Sequence, residues 1–302
     1  MSKQGSPLIL VAGAINTDLV ATMERAPEAG ETITGRSFAI HGGGKAANQA
    51  VAAARSGGRV ALVGSVGDDD FGKARLADLE NDGIDVGWVR VNPGVTSGVA
   101  LILVDERGEN RIAYIPAATL TVPVDHVRRA LDATEPGFIL AANELPNAAL
   151  EELFRGGQAA ELTIAFNATP DPETARNLLP YVSILIVNEG EAVALSDGKQ
   201  GDLGALARRL GDEYGCSVVL TAGPDGAYAW HEGRDIHVPG IEVDVVDTTG
   251  AGDTFCGALV AELSTGSGFE EAVAYGVKAA SLSVTREGAQ SSIPKRAEVE
   301  SQ

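Results

Sequence analysis

Short apolar runs recur along the chain at Leu8–Ala12, Val60–Val63, Phe138–Ala141, Leu162–Phe166, Ile184–Val187 and Val218–Leu220. Runs this brief, apolar at nearly every position, belong to strands buried on both faces, as in a parallel sheet. Between them the apolar positions take helical spacing, over Ala46–Arg55, Asp70–Glu80, Ala148–Gly156, Glu189–Leu195 and Leu203–Tyr214. Strand and helix in alternation predict an α/β fold, a doubly wound, mainly parallel sheet with helices on both faces. Two stretches break the alternation. Glu31–Ile40 and Gly98–Ile115 interleave polar and apolar residues, the second around a Glu106-Arg107-Gly108-Glu109 turn, which predicts hairpins with one partly exposed face. They form either an antiparallel edge of the main sheet or a small β-sheet lid over it, spanning about residues 31–41 and 98–116. No linker or composition shift divides the chain, so residues 1–302 read as a single domain. Farther on, a short strand Val243–Val246 leads into a helix Gly250–Leu263, an Ala-rich helix follows at Phe269–Val284, and the tail after Pro294 is expected to fray.

Composition narrows the function classes. The 302 residues carry 42 acidic and 23 basic side chains, a net charge of −19, which repels nucleic acid and anionic membrane as partners. No apolar run approaches the roughly 18 residues of a membrane span, and the N-terminal MSKQGSPLILVAGA reads as a first strand rather than a signal peptide. Cys216 and Cys256 make no disulfide framework. A cytoplasmic protein is expected. Glycine is enriched, with 37 residues where about 7% would give roughly 21, and the glycines gather where strands hand over to helices.

The strongest local signal is Asp247-Thr248-Thr249-Gly250-Ala251-Gly252-Asp253-Thr254-Phe255. An apolar strand ends, small residues permit close approach, and a helix begins whose free N–H groups and positive dipole end suit an anion. Asp253 lies beside any phosphate held there, and the dipole is expected to favour its ionised form. A second cluster, His41-Gly42-Gly43-Gly44-Lys45-Ala46-Ala47-Asn48, opens a helix and matches G-x-G-x-x-A, with Asp68 at a distance suited to a ribose. A dinucleotide site wants that turn directly after the first buried strand, where Gly13-Ala14-Ile15-Asn16 stands instead. The Walker pattern fails at Ala39 and Ala46. Asn16 and Asp18 follow the first strand and Glu144 ends another; an Asx turn is the plain reading of the former. Asn188 and Glu191 suit a helix-capping box, and Thr221-Ala222-Gly223-Pro224-Asp225-Gly226 is a turn at a further strand end. Together these polar groups collect along one rim of the sheet.

At these residues the chain resembles the PfkB-type sugar kinase family, from Leu8 to Pro294, through Asn16-Thr17-Asp18, PEAGETITG, GGGKAANQAVAAARSGG, Asn188-Glu189-Gly190-Glu191, DTTGAGDTFCGAL and VTREGAQSSIP. The resemblance implies a ribokinase-like fold whose β lid closes over a sugar and pairs two copies into a homodimer. It implies ATP as phosphoryl donor, ribose as acceptor at its 5-hydroxyl, and Mg²⁺ and K⁺ as cofactors. By the same resemblance Asp253 is the base, and Gly250, Ala251 and Gly252 form the anion hole. Asn16, Thr17, Asp18, Gly43, Gly44, Lys45, Ala46, Ala47, Asn48 and Glu144 match sugar contacts. Asn188, Thr221 to Gly226, Gly252 and Asp253 match nucleotide contacts, and Asn188 with Glu191 lies where the family organises magnesium, through water. Asp247, Thr249, Ser283, Arg286, Gly288 and Ser292 match the monovalent-cation loop, Arg286 through its carbonyl. Ala46, Gly190 and Asn167-Ala168-Thr169-Pro170 depart from the family's usual residues without removing a charged group. Fructose, deoxyribose and adenosine are alternative acceptors, and a non-catalytic sugar or nucleotide sensor is the reading from another class.

Overall fold

The computed structural model describes residues 5–198 and 201–302. In chain order the strands are β1 Leu8–Ala12, β2 Asn16–Thr22, β3 Ser37–Gly43, β4 Arg59–Gly67, β5 Val89–Asn92, β6 Gly98–Val104, β7 Asn110–Ile115, β8 Phe138–Ala142, β9 Thr163–Asn167, β10 Ile184–Asn188, β11 Ser217–Thr221, β12 Ala227–His231 and β13 Arg234–Val238. The helices are α1 Lys45–Arg55, α2 Asp70–Asn81, α3 Val124–Thr134, α4 Asn147–Ala159, α5 Pro172–Ala175, α6 Glu189–Leu195, α7 Leu203–Tyr214, α8 Ala251–Ser264, α9 Phe269–Ser283 and α10 Arg296–Glu300.

A nine-stranded sheet runs β13-β12-β11-β10-β9-β8-β1-β4-β5, parallel from β5 through β11 and closed by the antiparallel hairpin β12–β13. Successive side chains of a strand point to opposite faces, so β1 places Ile9 and Val11 in the core that holds α1, α8 and α9, and Leu10 and Ala12 in the core that holds α3, α4 and α7. That two-sided burial is what the unbroken apolar runs predicted. The strand order reverses direction at β1, where β4 lies on one side and β8 on the other. Ligands of open α/β sheets bind in the crevice such a reversal opens at the strand carboxyl ends. Helix α1, with six alanines among its 11 residues, packs closely on α8 at Gly257, where a β-carbon would collide with the Gln49 carbonyl and Ala52.

Four places differ from the sequence reading. Asn16–Thr22 is a strand and not an Asx turn: it leaves the main sheet and forms the centre of a second sheet ordered β3-β2-β6-β7. Residues 31–36 carry no strand, because β2 ends at Thr22 and leaves residues before Ser37 nothing to pair with. Val243–Val246 is not a strand either. Among the described residues no strand pairs with it; Val245 and Val246 are 62% and 58% exposed, and Val243 and Val245 border a cavity instead. The tail does not fray: Val299 is buried, while Arg296 bonds the Ser56 carbonyl, pairs with Glu262 and lies 4.9 Å above the Tyr275 ring. Among the described residues no helix is long and apolar enough to cross a membrane.

Candidate active site

Helix α8 starts where Gly250 adopts φ 74, the left-handed region that suits glycine, directly against Ala289. The Ala251 amide bonds the Thr248 carbonyl and the Thr254 amide closes on Gly250. Among the described residues this leaves the Gly250, Gly252 and Asp253 amides without a partner at the positive end of a 14-residue helix. Space beside Gly252 is open. Of the residues expected to form the anion hole, Ala251 has its amide occupied, and the Asp253 amide is free beside those of Gly250 and Gly252.

The Asp253 carboxylate is 8% exposed. Its two oxygens accept from Asn48 Nδ2 at 2.9 Å and Gln49 Nε2 at 3.1 Å. Gln49 Nε2 also reaches Asn167 Oδ1 at 3.2 Å, and Asn167 Nδ2 donates to the Ile186 carbonyl. Gln49 and Asn167 were not picked out as site residues from sequence. The available signal was that Asn48 and Gln49 are the polar interruption of an alanine helix between Lys45 and Arg55. Burial raises the Asp253 pKa; the Lys45 ammonium and the two amides oppose this, and Glu191 adds to it. Desolvation thus outweighs the Lys45 charge and the two amide bonds. Burial disfavours the Lys45 charge as well, but Asp253, Glu144 and Glu191 more than compensate and raise its pKa.

Glu144 follows β8 and faces the start of α1. That helix lacks a side-chain cap at Gly44, which sits at φ 91. The Glu144 carboxylate replaces the cap from across the sheet, accepting from the amides of Ala14 at 2.9 Å, Lys45 at 3.1 Å and Ala46 at 3.1 Å. Burial raises its pKa, and these three bonds work in the opposite direction. The Ala47 amide goes to the Ala14 carbonyl. Ala46 and Ala47, expected among the sugar contacts, are fully buried and have these amides occupied.

Register across the small sheet sets the rest of this wall. Gly43, Asn16 and Gly98 lie opposite one another, and in the next row on the same face stand His41, Asp18, Ala100 and Tyr114. A β-carbon on Gly43 would collide with the Asp18 carboxylate. Burial lifts the Asp18 pKa to about 6. Thr17 falls on the opposite face by strand alternation; it is fully buried and accepts from Arg75 at 3.2 Å, so it does not join Asn16 and Asp18.

Next to Asp253, a space of ≈ 190 Å³ is bordered by Lys45, Asn188, Glu191, Thr248 and Cys256. It adjoins a larger, mostly apolar cavity of ≈ 490 Å³ walled by Ile241, Val243, Phe255, Val277 and Val284, with Thr221, Gly223, Pro224 and Gly226 at its mouth. Ala222 packs into the core and Asp225 is exposed, so neither borders this cavity. Asn188 and Glu191 form the capping box of α6, Asn188 Oδ1 accepting from the Glu191 amide and Glu191 Oε2 from the Asn188 amide, both at 2.9 Å. On the far side of α8, Asp247 accepts from the amide and hydroxyl of Thr249 and from the Gly288 amide at 2.8 Å. The Ser283 and Ser292 hydroxyls bond nearby carbonyls, and the Arg286 guanidinium turns away to Glu298. Among the described residues no three His, Cys, Asp or Glu side chains converge as a metal cluster.

The model of the pfkB family of carbohydrate kinases matches residues 6–296. A Bacillus subtilis ribokinase is 35% identical over 293 residues, covering 97% of this chain and 98% of that protein. A crystal structure of Thermotoga maritima ribokinase aligns with a TM-score of 0.88 at 33% identity, covering 98% of both chains. An Arabidopsis thaliana ribokinase complexed with ribose and ATP aligns with a TM-score of 0.88 at 27% identity, over 100% of this chain and 98% of that one.

Proposed function

This chain belongs to the pfkB family of carbohydrate kinases, and on that premise we propose that it transfers the γ-phosphoryl group of ATP to the 5-hydroxyl of D-ribose, giving ribose 5-phosphate and ADP. The observation that carries the reading is the meeting at one helix end of a buried, amide-held carboxylate and unpaired backbone N–H groups, between a polar sheet face and an apolar cavity. Phosphoryl transfer asks the protein for positioning and charge stabilisation, and these parts supply both.

Asp253 accepts the proton of the sugar hydroxyl, with Asn48 and Gln49 fixing the carboxylate so that one oxygen faces the attacking group. Its raised pKa brings it nearer the operating pH, which suits a general base. Lys45 and the Gly252 and Asp253 amides stabilise the charge spread over the transferring phosphoryl oxygens. Asp18 and Asn16 hold adjacent sugar hydroxyls. The apolar cavity takes the nucleotide base, and the Thr221–Gly226 turn lies along the rest of the nucleotide. Asn188 and Glu191 supply hard oxygen donors suited to a hydrated Mg²⁺, which neutralises phosphate charge. Asp247, with carbonyls of Thr249 and the Ser283–Ser292 segment, suits K⁺, and a cation there stiffens the turn that carries Gly250–Asp253.

Two copies pair through the small sheet. On the face opposite Asp18, Phe38, Ile40, Leu101 and Ile115 are each 42% or more exposed and contiguous in register. Such a patch marks an interface. Sedimentation velocity should give a dimer for the wild type and a monomer for Leu101→Glu.

The experiment for the function is kcat/KM by coupled ADP release for ribose, adenosine and fructose at equal ATP and Mg²⁺. Ribose should give the highest value. A higher value for either competitor would discard ribose and leave the kinase; no ADP release with any sugar, while ATP still binds, would favour the sensor.

A further inference from the structure

Among the described residues Arg75 is the only lysine or arginine that is buried, and such side chains are almost never buried without partners. It stands on α2, whose Leu79 lies in the main core, so it is anchored in the body of the protein and not in the small sheet. Its Nε at 3.2 Å and Nη2 at 2.7 Å both donate to the exposed Asp78. Its Nη1 crosses to the root of the small sheet and donates to Thr17 Oγ1 on β2 and to the His41 carbonyl on β3, each at 3.2 Å. Asp18 follows Thr17 and lies opposite His41, and its carboxylate fills the space that a β-carbon on Gly43 would take. Where the Asp18 oxygens point thus depends on how β2 and β3 lie against each other, and Arg75 grips both strands.

We propose that Arg75 is a positioning residue of the sugar site, one guanidinium that fixes β2 against β3 and so fixes where Asp18 meets the sugar. The proposal rests on the reading of Asp18 as a sugar ligand. The charge of Arg75 has a second consequence. Asp18 is in the field of His41 from β3, Arg75 from α2, Tyr114 from β7 and Asp253 from α8, while β6 places the apolar Ala100 beside it. Burial raises the Asp18 pKa to about 6; His41 and Arg75 pull it down, and Asp253 pushes it up. Arg75 is charged at every working pH, so it keeps more of Asp18 ionised, and able to accept from a hydroxyl, near neutrality.

The test is the ribose Kd by titration calorimetry between pH 5 and 8.5 for wild type, Arg75→Met, Arg75→Lys and Thr17→Val. At pH 8.5, where Asp18 is ionised, Arg75→Met should weaken binding about tenfold, the size of one lost hydrogen bond, with kcat at saturating ribose nearly unchanged. Wild-type affinity should fall as pH drops through about 6. In Arg75→Met that fall should begin at higher pH, because a cation that lowered the Asp18 pKa is gone. Arg75→Lys keeps the charge without the fork, and Thr17→Val removes one of the two grips, so both should weaken binding and leave the fall where it is. An arginine that served stability alone would lower the melting temperature and move neither the Kd nor the fall. An unchanged Kd at pH 8.5 in Arg75→Met, or in Thr17→Val should Arg75→Met not fold, would overturn the proposal, as would an unmoved fall in Arg75→Met. Failure of the underlying reading is separable: Asp18→Asn would then bind ribose as tightly as wild type.

Discussion

Replacing Asp253 by Asn removes the proton acceptor while keeping the side-chain shape. Both carboxylate oxygens now accept from amide donors, Asn48 Nδ2 at 2.9 Å and Gln49 Nε2 at 3.1 Å. An Asn there offers one oxygen and one NH₂, so one of those contacts becomes donor against donor, costing about 1–3 kcal/mol. Against this stands the relief of a carboxylate whose pKa burial has raised. The two effects oppose each other, and the melting temperature should move little. The kinetic effect has no such offset. Loss of a positioned base costs about 10²–10⁴ in rate, or roughly 3–5 kcal/mol of barrier at about 1.4 kcal/mol per decade. Single-turnover rates and steady-state ADP release, both at saturating ribose and ATP, should fall together by that factor, with the ATP Kd almost unaltered. A variant that keeps more than about a tenth of wild-type kcat places less than about 1.4 kcal/mol on this group, and the base assignment is then wrong.

Other consequences are measurable in the same assay. Because the Asp253 pKa is raised, wild-type kcat should fall as pH drops through a value above the ordinary carboxylate range; Lys45→Met removes a charge that holds this pKa down, so the acid limb should move to higher pH. An unmoved limb would assign the titration elsewhere. Asp18→Asn should raise the sugar KM sharply. With its folded pKa near 6 and the unfolded value lower, ionised Asp18 destabilises the fold above pH 6, so this variant should melt higher than wild type at pH 8 and match it at pH 4. KCl added to a buffer free of Na⁺ and K⁺ should raise kcat; equal activity in tetramethylammonium chloride of the same ionic strength would remove the cation from the Asp247 site. Ala117 sits at φ 40 without being glycine, a strain of about 1–2 kcal/mol, partly offset by the extra freedom glycine gives the unfolded chain. Ala117→Gly should therefore raise the melting temperature by about 1–3 °C.

The main sheet was legible because its strands are apolar on both faces and its helices keep their period; the glycine-to-helix junction at Gly250 was legible because few residue types fit it. The small sheet was harder to read. Asn16–Thr22 looks like a polar turn after a strand, and only pairing with Gly98–Val104, far along the chain, shows it to be extended. The resemblance groups Thr17 with Asn16 and Asp18, and strand alternation puts it on the other face. Gln49 and Asn167 gave little warning, since a buried amide resembles an exposed one until the carboxylate it serves is in place. The role of Glu144 as a remote helix cap depends on the order of strands, which no local pattern contains.

The small sheet is cantilevered. All its crossings to the main body lie at one end, at Asn16, Gly43, Gly98 and Ile115, while Thr22, Ser37, Val104 and Asn110 stand at the free end about 20 Å away, six residues along β2. Asp18 and Tyr114 sit close to the fulcrum, and Glu144 clamps that fulcrum by tying Ala14 to the start of α1. By this geometry a slight rotation about the fulcrum would be magnified into a long swing of the Asp105–Gly108 turn at the tip. A spectroscopic label on Arg107, which is exposed on that turn, should register sugar arrival as a displacement much larger than anything visible beside the sugar itself.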